Sequence, residues 1–278
     1  MFAGQKLFNA SFDIFADNYQ SVRPGYPDEL IGDIVKVCGI SEDSSLLEIG
    51  AGSGIATAQL LAKANPHIVA LEPGENLAKI AQEQLGDSSK VQVVTDTFEN
   101  FTAKQKFDSI LSFTSFHWLS GEDTIEYVEK LLKFGGTLVV VWNSFLQHQS
   151  AVSDAIVDIY SSNLSDIYPG DNDAKTVNQS ALRKVDSRVN SIVSDHRLET
   201  IFLKRYLSVY RYNAVTYPKF LATYPKIINL DDARREKFLK EISATVDKFG
   251  EISVPILSTA IICCKKSDFL RKIENESR

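Results

Sequence analysis

Cysteine is scarce in this chain. There are three among 278 residues, Cys38, Cys263 and Cys264, and the last two are adjacent and so cannot bridge to each other in ordinary geometry. No Cys-x-x-Cys spacing occurs, which leaves neither a disulfide framework nor a zinc site to expect. Long apolar runs are missing too, and nothing approaches the ~18–20 residues of a membrane helix. The opening Met1-Phe2-Ala3-Gly4-Gln5-Lys6 lacks the charged start and apolar centre of a signal peptide. Together these absences predict a cytoplasmic protein with reduced thiols and no membrane partner. Basic charge is short as well: 30 Lys and Arg stand against 36 Asp and Glu, a net charge of −6. The basic groups that exist (Lys204-Arg205, Arg234-Arg235, Lys265-Lys266) are short and read as solvated surface. A broad positive field for nucleic acid is therefore excluded.

What remains is ordinary for a globular protein, with 44% hydrophobic and 24% charged residues. The length suits one α/β domain plus an elaboration. Apolar runs at 46–49, 67–71, 91–94, 107–113 and 137–142 read as strands. Between them, 55–63, 75–85 and 124–134 carry helical spacing, the last closed by Gly135-Gly136. Apolar strands alternating with helices predict a parallel sheet covered on both faces. Ahead of it, Phe8, Phe12, Ile14, Phe15 and Tyr19 share a helical face, Arg23-Pro24-Gly25-Tyr26-Pro27 forms a rigid bend, and 28–37 is a helix. After it, 151–164 is helical and Tyr168-Pro169-Gly170-Asp171-Asn172 is a turn. The stretch 198–212 is a strand, 231–249 an amphipathic helix, and 251–264 a final strand hairpin-paired with 198–212. The organisation expected is an N-terminal helical extension (1–40), an α/β core (41–143), a helical lid insertion (144–197), the rest of the core (198–266) and a polar tail (267–278).

The stretch Leu46–Thr57 organises the rest. An apolar strand ends in Glu48-Ile49-Gly50-Ala51-Gly52-Ser53-Gly54 and a helix follows at once. Glycines allow close approach of backbone to ligand, and a helix start offers unpaired N–H donors. The dinucleotide fingerprint needs Gly-x-Gly-x-x-Gly or Ala, and Ile55 occupies its third position, which disfavours a nicotinamide-dependent oxidoreductase. Glu72 ends the second strand, where a carboxylate can accept both hydroxyls of a ribose. Asp96-Thr97-Phe98 ends the third. Ser112-Phe113-Thr114-Ser115-Phe116-His117-Trp118 ends the fourth, placing aromatic faces and one histidine beside the glycine turn. Such faces attract a cation, and His117 is a candidate general base.

The order Tyr19, Arg23-Pro24-Gly25-Tyr26-Pro27, Glu48-Ile49-Gly50-Ala51-Gly52-Ser53-Gly54, Leu71-Glu72-Pro73 and Phe116-His117-Trp118 resembles the trans-aconitate methyltransferase-like branch of class I S-adenosylmethionine-dependent methyltransferases. The resemblance implies a Rossmann-like, mostly parallel seven-stranded sheet with an antiparallel C-terminal strand. It implies S-adenosylmethionine as cofactor, with Glu48, Gly50, Ala51, Gly52 and Gly54 about its methionine part, Glu72 and Pro73 at the ribose, and Asp96, Thr97 and Phe98 at the adenine. Ser112 and Phe113 complete that set, and Tyr19 and Arg23 would close over it. The acceptor side falls to Phe116, Trp118, Arg205 and Arg211, with Tyr210 beside them, and the chain departs from the branch at Pro225. The implied partner is a small-molecule acceptor, possibly a carboxylate, in a monomer or homodimer. A protein or RNA acceptor, or cofactor binding without catalysis, stays open as the alternative.

Overall fold

The computed structural model describes residues 22–86, 88–119, 123–168 and 173–270. The expected helix carrying Phe8 to Tyr19, and most of the turn after Tyr168, lie outside them. The chain splits into two compact units. A core unit comprises Gly25–Asn143, Val185–Tyr206 and Ser258–Arg278, and a helical unit comprises Met1–Pro24, Ser144–Lys184 and Leu207–Leu257.

In chain order the elements are α1 (Asp28–Cys38), β1 (Ser45–Ile49), α2 (Ile55–Ala64), β2 (His67–Leu71), α3 (Glu75–Leu85), β3 (Val91–Val94) and β4 (Phe107–Phe113). A 3₁₀ turn follows at Phe116–Trp118, then α4 (Thr124–Leu131), β5 (Leu132–Phe145), α5 (Ala151–Leu164), α6 (Ala174–Val193) and β6 (Leu198–Tyr212). The chain continues through α7 (Thr216–Leu221), α8 (Pro225–Ile228), α9 (Asp232–Phe249) and β7 (Ile252–Lys265). The seven strands form one sheet in the order β3-β2-β1-β4-β5-β7-β6. β1 to β5 pair in parallel. β7 runs antiparallel to β5, since Asn143 meets Ser258 while Leu146 meets Pro255. It is antiparallel to β6 as well, because Arg197 meets Lys266 and Thr200 meets Cys263. The mostly parallel seven-stranded sheet implied by the resemblance is the one observed.

Strand alternation sorts the core unit's side chains onto two faces. Leu47, Ile49, Ile110, Leu138, Val140 and Trp142 pack with Val128 and Leu131 of α4 and with Val185, Val189 and Ile192 of α6. Leu46, Ile68, Leu111, Phe113, Val139 and Val141 pack with Leu30, Ile31 and Ile34 of α1 and with Leu60 of α2. Both faces are covered, which is why these strands read as unbroken apolar runs.

Three expectations need correction. The helix predicted over 124–134 stops at Leu131, because fully buried Leu132 already pairs as a strand with Phe107. Gly135 (φ 71°) and Gly136 then form a bulge, with the register slipping from Phe107–Leu132 to Ser109–Thr137. A Cβ on Gly136 would stand 3.0 Å from the Asp108 carbonyl oxygen, so the glycine pair serves the sheet rather than a helix end. β6 and β7 are neighbours but not a hairpin, since α7, α8 and α9 intervene. The insertion expected over 144–197 divides instead at Lys184. The later turns of α6 carry Val185, Val189 and Ile192 into the core unit's apolar cluster.

The helical unit has its own core. Val152, Ile156 and Leu164 of α5 meet Phe238, Ile242 and Val246 of α9, together with Tyr217, Phe220 and Leu221 of α7. α9 begins on Asp231, whose carboxylate accepts the Arg234 N–H as an N-cap. Cys38, Cys263 and Cys264 are all unbridged. No helix among the described residues is long and apolar enough to cross a membrane.

Candidate active site

The carboxyl ends of β1 to β4 lie in one row. Ile49 pairs with Leu71 and Leu71 with Val94, while Glu48 pairs with Leu111 on the other side. The residues that follow, Gly50, Glu72 and Asp96, therefore emerge along one edge of the sheet, with Phe113 beside them. From β1 the chain goes outward to β2 and β3, then returns to place β4 on the opposite flank. That reversal is the switch point at which open α/β sheets take ligands.

Backbone geometry explains the glycines at this corner. Gly50 has φ 70°, and a Cβ there would stand 2.5 Å from the Ser115 Cβ. Ser115 is fixed by hydrogen bonds from its Oγ to the Ile49 carbonyl oxygen (2.5 Å) and with the Ser112 Oγ (2.6 Å). Gly52 has φ 60° with nothing within 4 Å of an added Cβ, so space opens over the turn. Beneath it, the buried Ser53 Oγ has no hydrogen-bond partner. Ala51 N–H donates to the Leu71 carbonyl oxygen (2.8 Å), and Gly54, at φ 85°, leads into α2.

Glu72 is the hinge of the arrangement. Its Oε2 accepts the Gly52 N–H and its Oε1 the Gly74 N–H, both at 2.8 Å. The carboxylate thus spans two loops and is held rigid at the mouth of the sheet, with half-buried Pro73 between Glu72 and its Gly74 partner. Glu48 behaves differently. Its side chain is buried and accepts the Thr57 hydroxyl at 2.6 Å. Burial above all, with repulsion from Glu72 added, pushes its carboxyl up to about 7.

Asp96 Oδ1 accepts the Thr97 N–H at 2.8 Å, so that donor is engaged within the turn itself. Phe98 is 4% exposed and packs against Tyr127, with ring centroids 5.1 Å apart, which places its ring in the core. At the end of β4, Thr114 takes φ 59°, uncommon for a residue with a side chain and a mark of a constrained site. Tyr26 reaches the same place. Its hydroxyl meets the Thr114 Oγ1 (3.2 Å), its ring lies 4.7 Å from Phe113, and Gln59 clamps its backbone on both sides. The proline-rich bend around Tyr26 was legible in the sequence, but its reach to the β4 end was not.

His117 stands in the 3₁₀ turn with its ring 4.4 Å from that of exposed Trp118, and Phe116 packs on the core beside it. Its Nδ1 is buried without a partner. Burial first, and the nearby Arg188 cation second, hold its basicity down to about 3. The imidazole is neutral at pH 7, and its low basicity weighs against a general-base role for His117. Arg188 had no motif to signal it.

The remaining expected residues divide between the units. Arg205 of the core unit is ion-paired with Asp186. Arg211, in the helical unit, faces Glu251 at 3.4 Å, and Tyr210 packs on the same unit's aromatic cluster. Arg23, also in the helical unit, donates from Nε to the Thr223 Oγ1 (2.9 Å). Its guanidinium lies 5.0–5.4 Å from the ring centroids of Phe145, Tyr224 and Phe220. Tyr19 lies outside the described residues.

Comparison with known proteins agrees with this geometry. Residues 47–138 match the family described as Methyltransferase domain. A malonyl-[acyl-carrier protein] O-methyltransferase from Ilyobacter polytropus is 29% identical over 124 residues, 44% of this chain and 45% of the relative. The chain spans about half the length of the curated relatives it matches. Among solved structures, a protein from Anaeromyxobacter dehalogenans, provisionally assigned as a type II methyltransferase, superposes with TM-score 0.59 at 15% identity. That match covers 86% of this chain and 97% of the other. An S-adenosylmethionine-dependent methyltransferase from Thiobacillus denitrificans, solved with S-adenosyl-L-homocysteine, gives TM-score 0.51 at 14% identity, over 91% and 98% of the two chains. The chain thus has the fold of the Rossmann-like methyltransferases and matches the methyltransferase-domain family over residues 47–138.

Proposed function

We propose that this protein is a methyltransferase that uses S-adenosylmethionine to methylate a small-molecule acceptor. The observation that carries the reading is the Glu72 carboxylate, clamped by the Gly52 and Gly74 N–H groups beside a glycine turn that opens into free space. Each carboxylate oxygen can accept two hydrogen bonds, so one N–H apiece is compatible with holding a ribose diol. The residues fit the cofactor further: Gly52 leaves room for a methionine chain. Asp96 stands one strand beyond Glu72 along the same edge, in position for an exocyclic amine. S-adenosylmethionine supplies a methyl group activated on a positive sulfur.

The chain's own contribution is alignment and exclusion of water. Preorganised reactants can lower a barrier by about 7–11 kcal/mol. Phe116 and Trp118 provide the aromatic faces after the β4 end, where Phe113 is buried. Because His117 is too weakly basic to take a proton at neutral pH, the arrangement favours an acceptor that is already ionised, and a carboxylate is the simplest one. The likeness to the trans-aconitate-like branch, and a relative named as an O-methyltransferase, support the same direction.

Calorimetric titration with S-adenosyl-L-homocysteine, with NAD as control, tests the reading. Binding of the first and not the second is expected, and binding of NAD alone overturns it. In the same assay Glu72→Ala should weaken S-adenosyl-L-homocysteine by about 1–3 kcal/mol, through lost ribose contacts and two unpaired N–H groups. Unchanged affinity would remove Glu72 from the cofactor site.

A further inference from the structure

Five arginines of the chain, Arg197, Arg205, Arg211, Arg234 and Arg235, each face a carboxylate. Arg188 does not. It is half-buried on α6, and among the described residues its guanidinium makes neither an ion pair nor a hydrogen bond. Cations removed from water are normally paired, because desolvation otherwise goes uncompensated. Arg188 lies three positions after Val185 and one before Val189, both buried against the core cluster that also takes in Phe116 and Leu119. Those two residues flank the His117-Trp118 pair. Arg188 thus stands on the same side of the sheet as the 3₁₀ turn, and its charge is felt at the His117 imidazole.

His117 adds a second unmet group. Its Nδ1 is buried with no partner. A proton on Nδ1 would orphan a donor, whereas a proton on Nε2 leaves only a bare lone pair inside, the less costly arrangement. The lack of a partner at Nδ1 thus favours the Nε2–H tautomer. Two residues earlier, Ser115 touches the Ile49 carbonyl oxygen next to Gly50, so the 3₁₀ turn that carries His117 starts beside the glycine turn.

We infer that Arg188 and His117 form the anion anchor of the acceptor site, with the Arg188 guanidinium and the His117 Nε2–H holding a carboxylate of the small molecule to be methylated. The inference rests on the methyltransferase reading for the word acceptor, but the anchor itself does not depend on it. A guanidinium presents two parallel donors to a carboxylate, and a neutral imidazole adds a third without repelling the cation.

Acetate is the probe, with acetamide as the uncharged control of equal shape. Imidazole ¹⁵N resonances of His117 are followed during titration of the full chain, with and without S-adenosyl-L-homocysteine. Acetate should shift them saturably and acetamide should not. Arg188→Gln should weaken acetate by about tenfold or more, while Arg188→Lys, which keeps the charge and loses the fork, should fall between. S-adenosyl-L-homocysteine affinity should be the same in all three proteins, which also reports that the variants fold. Equal responses to acetate and acetamide, or an undiminished acetate response in Arg188→Gln, overturn the anchor. Failure of S-adenosyl-L-homocysteine to bind the parent protein instead overturns the methyltransferase reading, and the acetate result is read apart from it.

Discussion

Gly50→Ala should be among the most damaging single-methyl additions to this protein. The backbone there has φ 70°, and the new Cβ would stand 2.5 Å from the Ser115 Cβ and 2.7 Å from its Oγ. Ser115 cannot swing aside cheaply, because its hydroxyl is bonded to the Ile49 carbonyl oxygen and to Ser112. A left-handed conformation costs an alanine about 1–2 kcal/mol, and overpacking about 1–3 more. The sum, about 2–5 kcal/mol, should lower the melting temperature by on the order of 10 °C. Gly52→Ala shares the positive φ but meets no atom within 4 Å. It should lose only the conformational part in stability while obstructing S-adenosyl-L-homocysteine. Ser115→Gly placed on Gly50→Ala should restore part of the loss. A Gly50→Ala protein that melts with its parent would mean that the Ser115 contact does not constrain the turn.

Glu48→Gln should stabilise the protein at alkaline pH. The Glu48 carboxyl is raised from 4.5 to about 7, so between those values the folded state binds more protons than the unfolded chain. The protonated group is accommodated at low pH, and stability falls as pH rises through about 7. Above that, the folded state carries a buried carboxylate near Glu72 at a cost of about 3 kcal/mol, which follows from the difference between 4.5 and 7. Glutamine keeps an acceptor for the Thr57 hydroxyl and carries no charge. Denaturation midpoints at pH 5 and pH 9 should show the variant gaining on its parent as pH rises. A gap that does not widen would mean that Glu48 is solvated or paired in the folded protein.

This effect could not be read from the sequence, where Glu48 was one acidic residue before a glycine turn and pointed to ligand contact. Burial is decided by what covers the β1 face, and α1 and α2 reach it only in the folded chain. The same reason hid Arg188. Its segment was expected in a helical insertion, and only the packing of Val185, Val189 and Ile192 brings the later turns of α6 to the core unit. Arg205 and Arg211 showed their charge in the sequence but not Asp186 and Glu251, the groups they meet. Gly135-Gly136 looked like a helix stop because glycine serves helix ends and bulges alike, and Leu132 pairing with Phe107 decided between them.

Sequence by itself determined the elements whose causes are local. Apolar runs and 3.6-residue apolar patterns set α3 at Glu75–Leu85, β3 at Val91–Val94 and β4 at Phe107–Phe113, each with the limits observed. The spacing of Gly50, Gly52 and Gly54 against Glu72 set the glycine turn and this carboxylate at one edge of the sheet. Only the tertiary structure decided which charged groups are solvated, paired or left without a partner. Glu48, His117 and Arg188 owe their behaviour to neighbours supplied by other parts of the chain. Desolvation and pairing depend on distance in space, and no local pattern of residues encodes that distance.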